Sequence, residues 1–297
     1  MPTHPGSESQ FKIAAARMRV AEEEGETAHF PATALAAVLG SKGYALTDAN
    51  PYFGTSDSRQ VATLTTGHIG TLAYVSESGS SPGGHRFLSN AAPAAGDEMM
   101  LCATRGMLIQ GTPAGSEPEY SDAYVFTTQL QVSSTSATNG IGFACGWAPS
   151  GTTVTPLTTV PANGIWFEYN PGGANPGLQF KTVEASGSVH AIDGVTNPFN
   201  LKGGTTGAFT PAASTDLRLT LAFGQTVSGN TWGGVHVGSY APGQAGVFTP
   251  MTAAQVADVA AMITAGTVYL SPFVGAYVVG TTQRSMYVQN VVAFADK

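Results

Sequence analysis

"NGIWFEYN", Asn163 to Asn170, decides how this chain is read. Ile165, Trp166, Phe167 and Tyr169 surround Glu168, between the turn-forming runs "GTTVTPLTTVPA" and "PGGANPG". Side chains of a β-strand alternate between two faces. Period two puts Ile165, Phe167 and Tyr169 on one face, and Trp166, Glu168 and Asn170 on the other. The first set reads as core. Glu168 has no second acid nearby in sequence and reads as a solvent-facing strand residue. Trp166 packs against a neighbouring element or subunit, or faces a ligand.

The same pattern spreads outward from this stretch. "QVATLTT", "IGTLAYVS", "EMMLCATRGMLIQG", "DAYVFTTQLQVSS", "GIGFACGW", "GLQFKTVEAS", "VHAIDGV", "DLRLTLAFG", "TWGGVHVGSY", "TVYLSPFVGAYVV" and "SMYVQNVVAF" all read as strands. In "DLRLTLAFG", Leu217, Leu219 and Leu221 face one way and Arg218 and Thr220 the other. In "SMYVQNVVAF", Met286, Val288, Asn290 and Val292 alternate with Tyr287, Gln289, Val291 and Ala293. Clean alternation means one buried and one wetter face, as in antiparallel sheets. About twelve such strands between Gly, Pro, Asn and Ser breaks predict an antiparallel β-sandwich or barrel. One late segment differs. "TPMTAAQVADVAAMITAG", Thr249 to Gly266, predicts a helix capped by Thr252, with Val256, Val259, Ala260 and Ile263 as its stripe.

Residues 1–59 carry twelve charged side chains, against nineteen in the remaining 238 residues. "SESQFKIAAARMRVAEEE" suits a helix with Phe11, Ala15 and Met18 on a thin apolar stripe, and "HFPATALAAVLGSKG" suits a second. Residues 1–59 are therefore expected to be a partly helical arm, and residues 60–297 the β-sandwich domain.

Charged residues make up 10% of the chain and the formal net charge is −7. An average globular domain has about 25% charged residues. The surface is thus coated with hydroxyls and small groups. The one basic cluster, Lys12, Arg17 and Arg19, runs straight into Glu22, Glu23, Glu24 and Glu26. Nucleic-acid binding, which needs clustered cations, is not expected. No window approaches 18 uninterrupted apolar residues, so no membrane helix is expected. The first ten residues show no signal-peptide pattern. Cys102 and Cys145 lie in apolar runs and read as buried free thiols.

Catalytic patterns are weak. A retaining glycosidase needs two carboxylates about 5–5.5 Å apart. Glu168 has none in its stretch, and Glu184, Asp193 and Asp216 are scattered. His4, His29, His68, His85, His190 and His236 show no His-x-His or His-x3-His spacing. No Gly-x-Ser-x-Gly elbow precedes a helix. No enzyme, cofactor or metal is expected.

The order of parts carries a resemblance. "GIGFACGW", then "NGIWFEYNPGGANPGLQFKTVEASGSVHAIDGV", "DLRLTLAFG", "GVHVGSY", a short helix, "VYLSPFVGAYVV" and "SMYVQNVVAF" resemble the concanavalin-like jelly-roll domains of tailed-bacteriophage virion proteins. The resemblance covers roughly residues 100–295. It departs at Gln289 and Asn290, where such domains often carry an acid. It implies a virion structural role, as a capsid decoration or cement protein. The implied partners are further copies of the chain, a trimer first, and the major capsid protein or other virion proteins. The implied location is the capsid surface, after synthesis in the host cytoplasm. The alternative is a glycan- or receptor-binding module of a tail fibre or adhesin. Trp147, Trp166 and Trp232 are the candidate ligand or subunit contacts, because exposed indoles stack on sugar faces. Lectins of this shape bind calcium through loop Asp and Asn oxygens, for which Asp193, Asn197 and Asn200 are candidates. The same residues are first of all turn formers.

Overall fold

The computed structural model describes residues 43–46, 61–66, 71–75, 84–103, 107–111, 122–149, 160–201, 203–226, 228–239 and 248–296. Both helices expected in the first 42 residues lie outside them.

The strands run β1 (Gly43–Leu46), β2 (Val61–Thr66), β3 (Thr71–Val75), β4 (Gly84–Leu88), β5 (Glu98–Ala103) and β6 (Met107–Leu108). Then come β7 (Asp122–Val132), β8 (Ile141–Pro149), β9 (Gly164–Tyr169), β10 (Leu178–Val183), β11 (His190–Ile192), β12 (Phe199–Asn200) and β13 (Thr206–Gly207). The last part comprises β14 (Leu217–Gln225), β15 (Thr231–Ser239), β16 (Phe248–Pro250), α1 (Ala253–Ala265), β17 (Tyr269–Val278) and β18 (Ser285–Asp296).

Two antiparallel sheets face each other. The first has the order β16-β15-β14-β7-β18-β4-β3, with β1 also on β18. The second has the order β11-β10-β9-β8-β17-β5-β2, with β6 also on β17. The chain is an antiparallel β-sandwich with one late helix, as the alternation predicts. β1 lies within the expected arm, yet it pairs Gly43 with Phe294 in the first sheet.

One core fills the space between the sheets. It takes Ile165, Phe167 and Tyr169 from β9, Ile141, Phe143, Cys145 and Trp147 from β8, and Leu217, Leu219, Leu221 and Phe223 from β14. The opening stretch therefore points its odd-numbered residues inward, and β14 its leucines.

Three local expectations change. "EMMLCATRGMLIQG" is two strands, β5 and β6, both pairing with β17. Pro272, which has no N–H to give a ladder, lies in β17 between the residues paired with β6 and those paired with β5. In β18 the register shifts between Val288 and Asn290. The inward set is consequently Met286, Val288, Val291 and Ala293, not a continuous period of two.

The helix forms where its cap predicts. The Thr252 side chain accepts from the Gln255 backbone, Gln255 answers on the Thr252 N–H, and Gly266 ends the helix in the left-handed region at φ 63°. Its buried residues are Gln255, Asp258, Val259, Met262 and Ile263. The stripe is rotated from the expected one. Val256 is only partly buried, because two polar side chains take places at the strand contact instead.

Candidate functional site

On the second sheet's outer face, the even-numbered residues of β9 meet β10. Lys181 stands opposite Trp166 and diagonal to Glu168 in the β9–β10 register. Lys181 Nζ donates to Glu168 Oε1 at 2.7 Å, and Trp166 Nε1 donates to Oε2 at 3.2 Å. Glu168 is thus a buried, ion-paired residue, not the solvent-facing one expected from its stretch. Its cation arrives from the next strand, which linear spacing does not reveal. Trp166 packs with Met100, Ala144, Ala148, Val183 and Phe273. The central strand contributes only small side chains here, and a Cβ on Gly146 would collide with the Ile165 carbonyl and Trp166.

Trp147 lies on the inner face of β8, its ring edge-on to Tyr124 at a centroid distance of 6.4 Å. Trp232 is on β15. Trp147 and Trp166 are 0% exposed and Trp232 is 3% exposed. In this structure none of the three rings offers a face to a sugar or a second subunit. They do not converge either. Trp147 is in the core, Trp166 is outside the second sheet, and Trp232 is outside the first. Period two assigns a face but not what covers it.

A second polar cluster joins residues far apart in sequence. Asp258 of α1 accepts from Thr182 Oγ1 of β10 at 2.5 Å and stands 2.9 Å from His190 Nδ1 of β11. A carboxylate only accepts, so Nδ1 is the donor in this contact. Gln255 Nε2 donates to the Phe180 carbonyl at 3.0 Å. These bonds fasten α1 to the β10–β11 end of the sheet. The available signal was a carboxylate and an amide three residues apart inside an apolar stripe.

Third is a hydrogen-bonded loop end. Asp193 Oδ1 accepts the backbone N–H groups of Val195 and Thr196 at 2.8 Å and of Asn197 at 3.2 Å. Partial burial pushes this carboxyl up, but the amide donors outweigh it and hold its pKa below the ordinary carboxylate value. Gly194 follows at φ 79°, where a side chain would also strike Ala208. Asn175 Nδ2 donates to the Asp193 carbonyl at 3.2 Å, tying the β9–β10 turn to this loop. Val195 is 76% exposed at its tip. Of the three loop-oxygen candidates, Asp193 and Asn197 come together. Asn200 does not, since its amide donates to the Phe248 carbonyl of β16. Among the described residues no group of three His, Cys, Asp or Glu side chains is placed to hold a metal ion.

No helix among the described residues is long and apolar enough to cross a membrane. No family model matches the chain, and no curated protein matches it. Among solved structures, the chain is similar to peanut lectin with a nine-residue peptide, at 10% identity and a TM-score of 0.48, covering 85% of this chain and 96% of that one. It is similar to the exoplasmic/lumenal domain of VIP36 in its metal-free form, at 12% identity and a TM-score of 0.48, covering 84% and 91%. It is also similar to a Lotus tetragonolobus seed lectin, at 10% identity and a TM-score of 0.46, covering 81% and 94%. The sandwich assignment rests on the strand order itself.

Proposed function

We propose that this chain is a non-catalytic recognition module that binds a hydroxyl-rich ligand, a glycan, at the loop end around Asp193. The observation that carries this reading is the Asp193 carboxylate. Three backbone amides hold Oδ1 and none of these bonds uses Oδ2. Such a fixed, ionised acceptor suits paired sugar hydroxyls, because its orientation is set before binding and little ordering entropy remains to be lost. Exposed Val195 supplies an apolar contact beside it. The reading needs no surface tryptophan. A glycan array of the wild type, repeated with Asp193→Asn and Val195→Ser, tests it. Binding weakened tenfold or more by Asp193→Asn supports it, and binding indifferent to both changes rejects this loop.

A second reading is a virion structural subunit, a capsid decoration protein joined to copies of itself and to the major capsid protein. It is favoured by a charge-poor chain that exposes Val195, Val160 and Tyr269 at 76%, 52% and 56%. Light scattering on the purified chain tests it. A stable trimer supports this reading, and a monomer at high concentration counts against it.

A further inference from the structure

The first sheet has an outer face that is buried although no described helix or strand packs broadly on it. The rows are fixed by register. Gly43, Phe294, Val125, Ala222 and Gly234 stand side by side across β1, β18, β7, β14 and β15. The adjacent row holds Ala123, Gly224 and Trp232. Val125 and Ala222 are 0% exposed, Ala123 4% and Trp232 3%. None of these four belongs to the core between the sheets. Gly233, next to Trp232, is the residue whose Cβ would meet core Met251, so the indole points outward. Trp232 Nε1 is buried with no hydrogen-bond partner. Buried indole N–H groups usually find one. Arg86 Nε, buried and unpartnered too, belongs to the same face, because Arg86 pairs with Tyr287 while its neighbour Phe87 is in the core.

We infer that residues 1–42 of the same chain dock across this outer face, over Val125, Ala222 and Trp232. β1 brings the chain in at the row of Val125 and Ala222, so the segment before Gly43 begins beside the apolar patch. "SESQFKIAAARMRVAEEE" is 18 residues long, with Phe11, Ala15 and Met18 on one helical side. As a helix it measures about 27 Å. The strands of β14 and β15, nine residues each, run about 30 Å. The segment is thus long enough to cross the face along these strands, and its apolar side can cover the two rows that hold Val125, Ala222 and Trp232. Ala123 and Ala222 present only methyl groups to this face, while the Phe248 ring already covers Gly234. The acidic run Glu22, Glu23, Glu24 and Glu26 complements Arg86. One rival within the chain is residues 112–121, which end next to Ala123. They carry Glu117, Glu119, Pro113 and Pro118, a poor match for an apolar face.

Two measurements on the full chain test the docking. In a single-tryptophan chain (Trp147→Phe, Trp166→Phe), acrylamide quenching of Trp232 should rise at least threefold when Phe11→Asp and Met18→Asp are added. Unchanged quenching overturns the inference. A benzophenone amino acid at position 232 should crosslink within one chain to residues 1–42. A crosslink only to other parts of the chain, or between two chains, overturns it.

Discussion

Lys181 Nζ stands 2.7 Å from Glu168 Oε1, one step diagonal across the β9–β10 ladder. The pair is largely withdrawn from water, with side-chain exposures of 19% and 11%. Trp166 supplies a further donor to the carboxylate. The sole acid of the opening stretch is therefore engaged in holding two strands and an indole in place.

Breaking this pair should be costly from either end. Removing one partner of a buried pair costs about 3–5 kcal/mol. Residual solvent access lowers the expectation for Lys181→Met to about 2 kcal/mol. The double variant Lys181→Met, Glu168→Gln should be less destabilised than the sum of the singles. Urea denaturation of the four proteins measures the coupling.

Glycine positions should rank by what surrounds them. Gly146 has φ 148° and no space for a Cβ beside Ile165 and Trp166. Gly146→Ala should cost more than about 3 kcal/mol. Gly96 has φ 94° but open space around it. Gly96→Ala should cost about 1–2 kcal/mol, from backbone strain alone. Denaturant midpoints give the order, and equal losses would contradict it.

The helix is held by its cap and by Asp258. Thr252→Ala should lose about 1 kcal/mol. Asp258→Ala removes the acceptor of Thr182 and of His190. It should lose about 2 kcal/mol. Hydrogen exchange should quicken first in α1, with β8 and β17 still protected.

Asp193 sets a pH dependence in the acid range. Its folded-state pKa lies below the ordinary value, so its charge contributes stability above the ordinary carboxylate pKa of about 3.9. That contribution is lost as pH falls through the lowered folded-state value. Asp193→Asn keeps an oxygen for the amides and removes only the charge. The stability gap between wild type and variant should be constant from pH 5 to 7 and narrow progressively below about pH 4. A gap that does not narrow at all on acidification would refute the assignment.

Cys145 should be unreactive in the folded protein. Burial in the core pushes its thiol pKa far up, so almost no thiolate forms. Iodoacetamide should label position 145 only in denaturant, as peptide mass spectrometry would show.

Particular residues show how far the sequence could be read. Ile165, Phe167 and Tyr169 are inward because alternation is a property of the extended backbone itself. Thr252 caps α1 because the cap geometry needs only residues 252–255. Beyond Val288 simple alternation runs one residue out of step with the closing strand, since a bulge depends on the partner strand's register. Trp147, Trp166 and Trp232 were placed in strands but not in depth, because burial depends on what lies above a strand's face.

The sequence by itself determined the two-faced strands, the one late helix and a charge-poor surface, all set by neighbours a few residues apart. Tertiary structure alone decided that Glu168 meets Lys181 thirteen residues away, and that Asp258 meets His190 across sixty-eight. Alternation is written into each strand. Register and layer packing exist only once distant strands are brought side by side.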